Sequence, residues 1–170
     1  LLTLNELEFG QDNVNMERFD IVTLIANRLA AADIMIKQND INVIFDAKMP
    51  IYVWGDEFKA EEVFTNYLSN AINHCSGKKI IEVKIGLNEE KVHISVFNTG
   101  ENIPKESIDH IFEKFFKVDK ARTREYGGSG IGLSIVKAIQ DMIGQGYGVL
   151  NREDGVEFWF EMEAAGIKND

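Results

Sequence analysis

Three asparagines, Asn66, Asn70 and Asn73, recur at i, i+4 and i+7, a spacing that puts them on one side of an α-helix. Asparagine is a poor helix former, and a solvated helix face is ordinarily built from glutamate, lysine and arginine. A row of carboxamides offers neutral oxygens suited to a hard cation such as Mg²⁺, which keeps several waters and shares the oxygens of phosphates. The same row can also be a plain solvated face, and the spacing alone does not choose. At about 100° per residue the row is expected to sit well away from the helix's apolar stripe.

Gly127-Gly128-Ser129-Gly130-Ile131-Gly132-Leu133 runs directly into a helical pattern. Glycines let a backbone close on a ligand, and the free N–H groups of a helix start favour an anion. No βαβ unit with an acidic residue on its next strand surrounds this loop, so it is not a dinucleotide fingerprint. Nor does it end in the Gly-Lys-Ser/Thr of a Walker loop. Taken alone it could be a flexible hinge.

Asn98 continues the alternation of Val92, Ile94 and Val96, so its side chain is expected on the covered face of a sheet. Its carbonyl oxygen could accept from a purine's amino group, or the side chain could simply cap the turn Thr99-Gly100-Glu101-Asn102. Gly100, without a Cβ, would let a planar ligand approach the backbone. Finally, residues 111–122 place Phe112, Phe115 and Phe116 among Lys114, Lys117, Lys120 and Arg122 in an acidic chain. That composition reads as a lid whose phenylalanines anchor the base while Lys117 or Arg122 swings toward phosphates. A partner-binding or core-anchoring segment is the alternative.

The elements that must hold these groups follow from periodicity. Leucines at 1, 4 and 7 read as the tail of an amphipathic helix ending at Gly10, followed by a polar linker through Asn15. A helix is expected over 21–38 with Asp20 as N-cap, then short strands at 41–45 and 51–54 joined by a turn at 48–50. A second helix covers 56–74 with Val63, Phe64, Tyr67, Leu68, Ala71 and Ile72 on its apolar side. Strands at 80–87 and 92–98 follow, a short helix opens at Pro104, and a third long helix covers 130–143. Strands at 147–151 and 156–162 close the chain. Strands in one layer and helices in the other make an α+β two-layer sandwich.

Bulk properties narrow the classes. One domain is the simplest division of 170 residues, and no apolar run reaches the ~20 residues of a membrane helix. A single cysteine, Cys75, excludes an internal disulfide and a zinc cluster and favours a reducing compartment. The net charge of −10 argues against a nucleic-acid surface. A polyanionic ligand would need its own local donors.

In order and spacing these segments resemble the four boxes of sensor histidine kinase catalytic domains, of the GHKL (Bergerat-fold) superfamily. Residues 62–74 resemble the N box, 98–104 the first glycine box, 112–117 the F box and 128–133 the second glycine box. Four ordered boxes are far more specific than any one. The resemblance implies a mixed, mostly antiparallel sheet with about three helices on one face. It divides the chain into the end of a dimerisation helix and linker (1–15), an ATP-binding catalytic domain (16–165) and a tail (166–170). It implies ATP and Mg²⁺ as cofactors, with Asn70 on the metal and Asn66 beside it near the phosphates. Asn73 and His74 complete the N-box contribution to nucleotide binding. Asn98, Gly100, Ile103 and Leu133 would line the purine slot, Phe115 would join the site from the F box, and Gly128, Ser129, Gly130, Ile131 and Gly132 would wrap the phosphates. Lys117 and Arg122, with Asn66, would act on the transferred group.

The departures are specific. Asn98 stands where the family has an aspartate, Asn102 where it has a second glycine, Asn73 where a basic residue is common, His74 for a tyrosine and Val156 for a threonine. Adenine contacts are therefore expected to be weaker or differently arranged. Hydrolytic relatives carry a glutamate at the position of Asn66, which cannot take a proton at neutral pH; an external nucleophile is expected instead of water. None of His74, His93 and His110 has the setting of a phosphoacceptor, so the acceptor is expected on a separate dimerisation domain, with a response regulator downstream. The expectation is a soluble, monomeric cytoplasmic domain of a membrane-anchored protein. A degenerate nucleotide-binding or docking module is the alternative, and a serine/threonine kinase of the anti-sigma type ranks third.

Overall fold

The computed structural model describes residues 13–88, 90–116 and 132–166. Seven strands form one sheet: β1 (Glu17–Asp20), β2 (Asn42–Ile44), β3 (Tyr52–Gly55), β4 (Ile80–Leu87), β5 (Lys91–Thr99), β6 (Tyr147–Arg152) and β7 (Gly155–Ala164). Their order is β1-β3-β7-β5-β4-β2, with β6 paired to β7. Among the described residues only β2 and β4 pair in parallel; the other pairings are antiparallel. The helices are α1 (Ile21–Ala31), α2 (Asp33–Gln38), α3 (Glu57–His74), α4 (Lys105–Ile108) and α5 (Gly132–Ile143).

Alternation decides which face is covered. Val156, Phe158, Phe160 and Met162 of β7, with Val92, Ile94, Val96 and Asn98 of β5, point into the core; Glu157, Trp159 and Glu161 take the other face. The helical layer meets them through Ile21 and Ile25 of α1, Val63, Phe64 and Tyr67 of α3, and Val136 and Ile139 of α5. Each such side chain, fully buried, stabilises by about 1.5–3 kcal/mol. Two polar groups tie the layers: the Tyr67 hydroxyl donates to the Trp159 carbonyl (2.9 Å), and Gln140 Nε2 donates to the carbonyls of Gly146 and Glu161 (3.0 Å each).

One expectation needs correction, and two features of the sheet go beyond the sequence. The helix over 21–38 is two helices, because Ala32 (φ −93°, ψ 2°) ends α1 and turns Ile36, the one buried residue of α2, onto the core. The strands around 43 and 53 are not neighbours; β2 and β3 lie on opposite sides of the β7-β5-β4 centre. What pairs with β3 instead is β1, a strand that the sequence reading left unassigned.

The start of α3 is fixed by charge. Asp56 caps the helix through the Lys59 N–H (3.2 Å) and also accepts from the Asn15 N–H (2.9 Å). Lys59 Nζ, itself buried, pairs with Asp56 (3.3 Å) and donates to the Asn13 carbonyl (3.2 Å). Burial pushes the Asp56 carboxyl up, but those N–H donors and the ammonium outweigh it and hold it below the usual carboxylate range. Asp20 caps α1 as expected, accepting from the Val22 N–H (2.9 Å) and the Thr23 hydroxyl (2.7 Å).

Candidate nucleotide site

Helix α3 is the spine of the site. On a helical wheel Asn70 falls within about 20° of Val63, so it borders the apolar stripe and does not stand apart from it. The expectation of a separate polar face is thus corrected. Asn70 is 6% exposed, Asn66 half-buried and Asn73 exposed. Neither amide atom of Asn70 has a hydrogen-bond partner among the described residues. An orphaned buried amide costs about 1–3 kcal/mol, which a structure tolerates only where something else repays it. Asn66 Nδ2 donates to the Glu62 carbonyl (2.9 Å), which leaves its Oδ1 as the acceptor facing away from its own helix turn. Burial, then the neighbouring Glu61, push the Glu62 carboxyl up.

That Oδ1 meets the start of α5. A Cβ added to Gly132 would stand 3.0 Å from Asn66 Oδ1, so the absence of a side chain there is what lets α5 begin against the carboxamide row. Leu133 follows, half-buried against the core. Gly128, Ser129, Gly130 and Ile131 lie outside the described residues.

The other end of α3 meets the end of β5. Gly100 (φ +151°) sits so close that a Cβ would lie 2.7 Å from the His74 carbonyl oxygen. The missing side chain is what lets the end of β5 pack against the last turn of α3. Burial pushes His74 down to about 4, which keeps its imidazole neutral at physiological pH. Thr99 stitches the junction: its Oγ1 donates to the Ser76 carbonyl (2.7 Å) and accepts from the Ile80 N–H (3.0 Å). Cys75 Sγ lies 3.7 Å from that hydroxyl, and burial pushes its thiol up.

Asn98 is 2% exposed, facing inward as its register requires. Its Nδ2 donates to the Thr99 carbonyl (3.0 Å), the turn-capping bond, and this leaves Oδ1 as the atom available to an amino group. Val156 lies directly opposite Asn98 on β7, and Gly155 has no room for a Cβ against the Asn98 carbonyl. Ile103 is 1% exposed and stands beside this junction, held from the β6–β7 hairpin.

The aromatic segment divides. Ile111 is buried, and Phe112 packs edge-on against Tyr147 (4.9 Å between centroids) and Phe158 (6.1 Å). Phe115, expected to anchor the segment, is 61% exposed with φ +64°, and the Lys114 ammonium lies over its ring. Its left-handed backbone turns the side chain off the core that Phe112 joins. Between this segment and α5 runs a groove of 630 Å³ lined by Phe112, Lys114, Ser134, Ala138 and Met142 among others. Lys117 and Arg122 lie outside the described residues.

The structure thus brings together Asn66, Asn70 and Gly132 along α3, and His74, Asn98, Gly100 and Ile103 at its C-terminal end. Asn73 and Phe115 are exposed. Among the described residues no cluster of three histidine, cysteine, aspartate or glutamate side chains could hold a metal alone. A lone buried carboxamide does suit a cation that takes most of its oxygens from phosphate and water. Sequence reading missed Thr99, Asn151 and the hairpin carbonyls. Thr99 is an ordinary strand residue by type, and carbonyls carry no sequence signal.

Residues 55–166 match the family described as histidine kinase-, DNA gyrase B-, and HSP90-like ATPase. Sensor protein kinase WalK of Staphylococcus aureus is 34% identical over 142 residues, covering 82% of this chain and 34% of that protein. Sensor-like histidine kinase SenX3 of Mycobacterium tuberculosis is 31% identical over 139 residues, again 82% of this chain and 34% of its own length. The chain therefore spans about a third of the curated relatives it matches. Among solved structures, the nucleotide-free catalytic domain of histidine kinase ThkA superposes with a TM-score of 0.77 at 30% identity, covering 88% of this chain and 96% of that one. ThkA in complex with the response regulator protein TrrA superposes with a TM-score of 0.76 at 28% identity, over 94% of this chain and 45% of that one.

Proposed function

The chain belongs to the histidine kinase-, DNA gyrase B-, and HSP90-like ATPase family, and from that premise we propose that it is the ATP-binding catalytic domain of a two-component sensor histidine kinase. It transfers the γ-phosphoryl group of ATP to a histidine on a separate dimerisation domain, for relay to a response regulator. The observation that carries the reading is the convergence on α3: a buried Asn70 amide, without a hydrogen-bond partner among the described residues, one turn from an Asn66 oxygen that faces the glycine start of α5.

Asn70 would hold Mg²⁺, which when bound neutralises charge on the phosphates. The remaining work belongs to this chain's residues. Asn66 orients the phosphates beside the N–H groups at the start of α5, where the helix dipole favours negative charge. Asn98 Oδ1 and Ile103 take the base end. Gly128 to Gly132 wrap the phosphates, and Lys117 and Arg122 approach the transferred group; these are assignments from sequence for the residues outside the described ones. Asn66 has no basic lone pair at neutral pH, so water is not activated and the phosphoryl group waits for the imidazole nucleophile. Rate then comes from positioning and charge neutralisation.

Residues 16–165 form the catalytic unit, and 1–15 lead into it from a dimerisation helix. The response-regulator partner is supported by ThkA's complex with TrrA. The longer sensor kinases among its relatives support a cytoplasmic domain of a membrane-anchored protein; among the described residues no helix is long and apolar enough to cross a membrane.

The test is label transfer. The chain, γ-labelled ATP, Mg²⁺ and the dimerisation domain of its own full-length kinase should give an acid-labile phosphohistidine on the latter. Nucleotide binding without transfer would favour a docking module instead. The neutral Asn98 at the base end is the observation on that side.

A further inference from the structure

The β6–β7 hairpin grips the loop after β5 with an unusual density of bonds. Asn151 Oδ1 accepts from the Ile103 N–H (2.9 Å), and its Nδ2 donates to the Ile103 carbonyl (2.8 Å). Asn102 Nδ2 donates to the carbonyls of Arg152 (2.8 Å) and Gly155 (2.9 Å). The Gly100 N–H donates to the Asp154 carbonyl (3.1 Å). Five hydrogen bonds therefore fix Gly100, Asn102 and Ile103 to one hairpin. Asn151 satisfies both backbone groups of Ile103, the service that a neighbouring strand would perform. It also lies in register with the base end: Asn151 pairs with Val156, and Val156 with Asn98, in one row across β6, β7 and β5.

We propose that Asn151 is a positioning residue for the base end of the nucleotide, with Asn102 as its companion. The inference rests on the reading of this cleft as a nucleotide site. A loop left free would be ordered only when the base arrives, and that ordering would oppose binding. Here the loop is held before the ligand comes, by two side chains and one backbone bond of this chain. Asn102 supplies two of the bonds at the very position where the family's motif has a glycine, which could supply none. Preorganisation of Ile103 and Gly100 offsets the weaker acceptor that a carboxamide at position 98 presents in place of a carboxylate.

The test compares an adenine-bearing ligand with a phosphate-only one, by calorimetric titration of the whole chain with Mg²⁺–ADP and with Mg²⁺–tripolyphosphate. Asn151→Leu removes both bonds to Ile103, Asn151→Asp keeps the acceptor for its N–H and removes the donor, and Asn102→Gly removes the other pair. Affinity for ADP should fall about tenfold in Asn151→Leu and by less in Asn151→Asp and Asn102→Gly, while tripolyphosphate affinity stays at the wild-type value. If Asn151→Leu does not fold, the other two variants carry the comparison. Unchanged ADP affinity, or equal losses for both ligands, would overturn the positioning role while leaving the nucleotide site intact. A wild-type chain that binds tripolyphosphate and ADP equally would overturn it as well, since no base end would then exist to position. Failure of the wild type to bind either ligand would remove the nucleotide reading itself and this inference with it.

Discussion

Exchanging Asn70 for leucine replaces a carboxamide by an isobutyl group of the same branching and somewhat larger volume at a position 6% exposed and bordering Val63 on α3. Neither amide atom has a partner among the described residues, and such a group costs about 1–3 kcal/mol relative to an apolar one of the same shape. Leucine adds a few tenths of a kcal/mol in helix propensity, roughly 0.4. Taking the lower half of the range, Asn70→Leu should be more stable than wild type by about 1–2 kcal/mol without ligand, which raises the melting temperature by roughly 2–8 °C for a domain of this size. With Mg²⁺ and a non-hydrolysable ATP analogue at a hundred times its Kd, the wild type gains about 2.7 kcal/mol. The variant gains nothing that depends on Mg²⁺. Thermal melts of both proteins, with and without Mg²⁺ and analogue, therefore reverse in order. A leucine variant that is less stable without ligand would mean the amide is satisfied in the fold. One that still gains stability from Mg²⁺ and analogue would refute the metal role.

Gly100→Ala must place a Cβ 2.7 Å from the His74 carbonyl at φ +151°; it should lose about 2–4 kcal/mol by urea unfolding, and a loss below 0.5 would mean the end of α3 gives way. His74 is held near 4 by burial, so the unfolded chain takes up its proton first as pH falls below about 6.5. Stability should therefore drop between about pH 6.5 and 4, by on the order of 2 kcal/mol after allowance for partial exposure, and His74→Gln should flatten that limb. An unchanged acid limb in the variant would contradict the assignment. Asp56→Ala removes the α3 cap and leaves the Lys59 ammonium buried without its counter-ion; chemical denaturation should show a loss of about 3–5 kcal/mol, partly restored by adding Lys59→Met, and no restoration would assign the loss to the cap alone.

What was legible in the sequence is what periodicity encodes. The long helix read over 56–74, found at Glu57–His74 with its apolar stripe, and the alternation that turned Asn98 inward both stand. Strand partnership was not legible, because β2 and β3 follow each other in the chain yet join different sides of the sheet. Turn residues between two strands do not say whether the strands pair. The bend at Ala32 was hidden for a similar reason: Leu24, Ile25 and Ile36 fit one helical stripe, and only packing decides where it breaks. Helical spacing grouped the three asparagines, but it did not tell that Asn70 is buried while Asn73 is exposed; a wheel gives direction, and the neighbouring elements decide depth. Asn102 was legible only as a departure from a motif. Its two bonds to hairpin carbonyls depend on a contact some fifty residues away in the chain.

The central claim is that the carboxamides of α3 and the glycine start of α5 face one triphosphate. A crystal of the chain grown with Mg²⁺ and a non-hydrolysable ATP analogue tests it most directly. The account predicts Mg²⁺ on Asn70 Oδ1, phosphate oxygens between Asn66 and the N–H groups at the start of α5, and the base beside Asn98 and Ile103. Nucleotide bound elsewhere, or a metal held without Asn70, would contradict it.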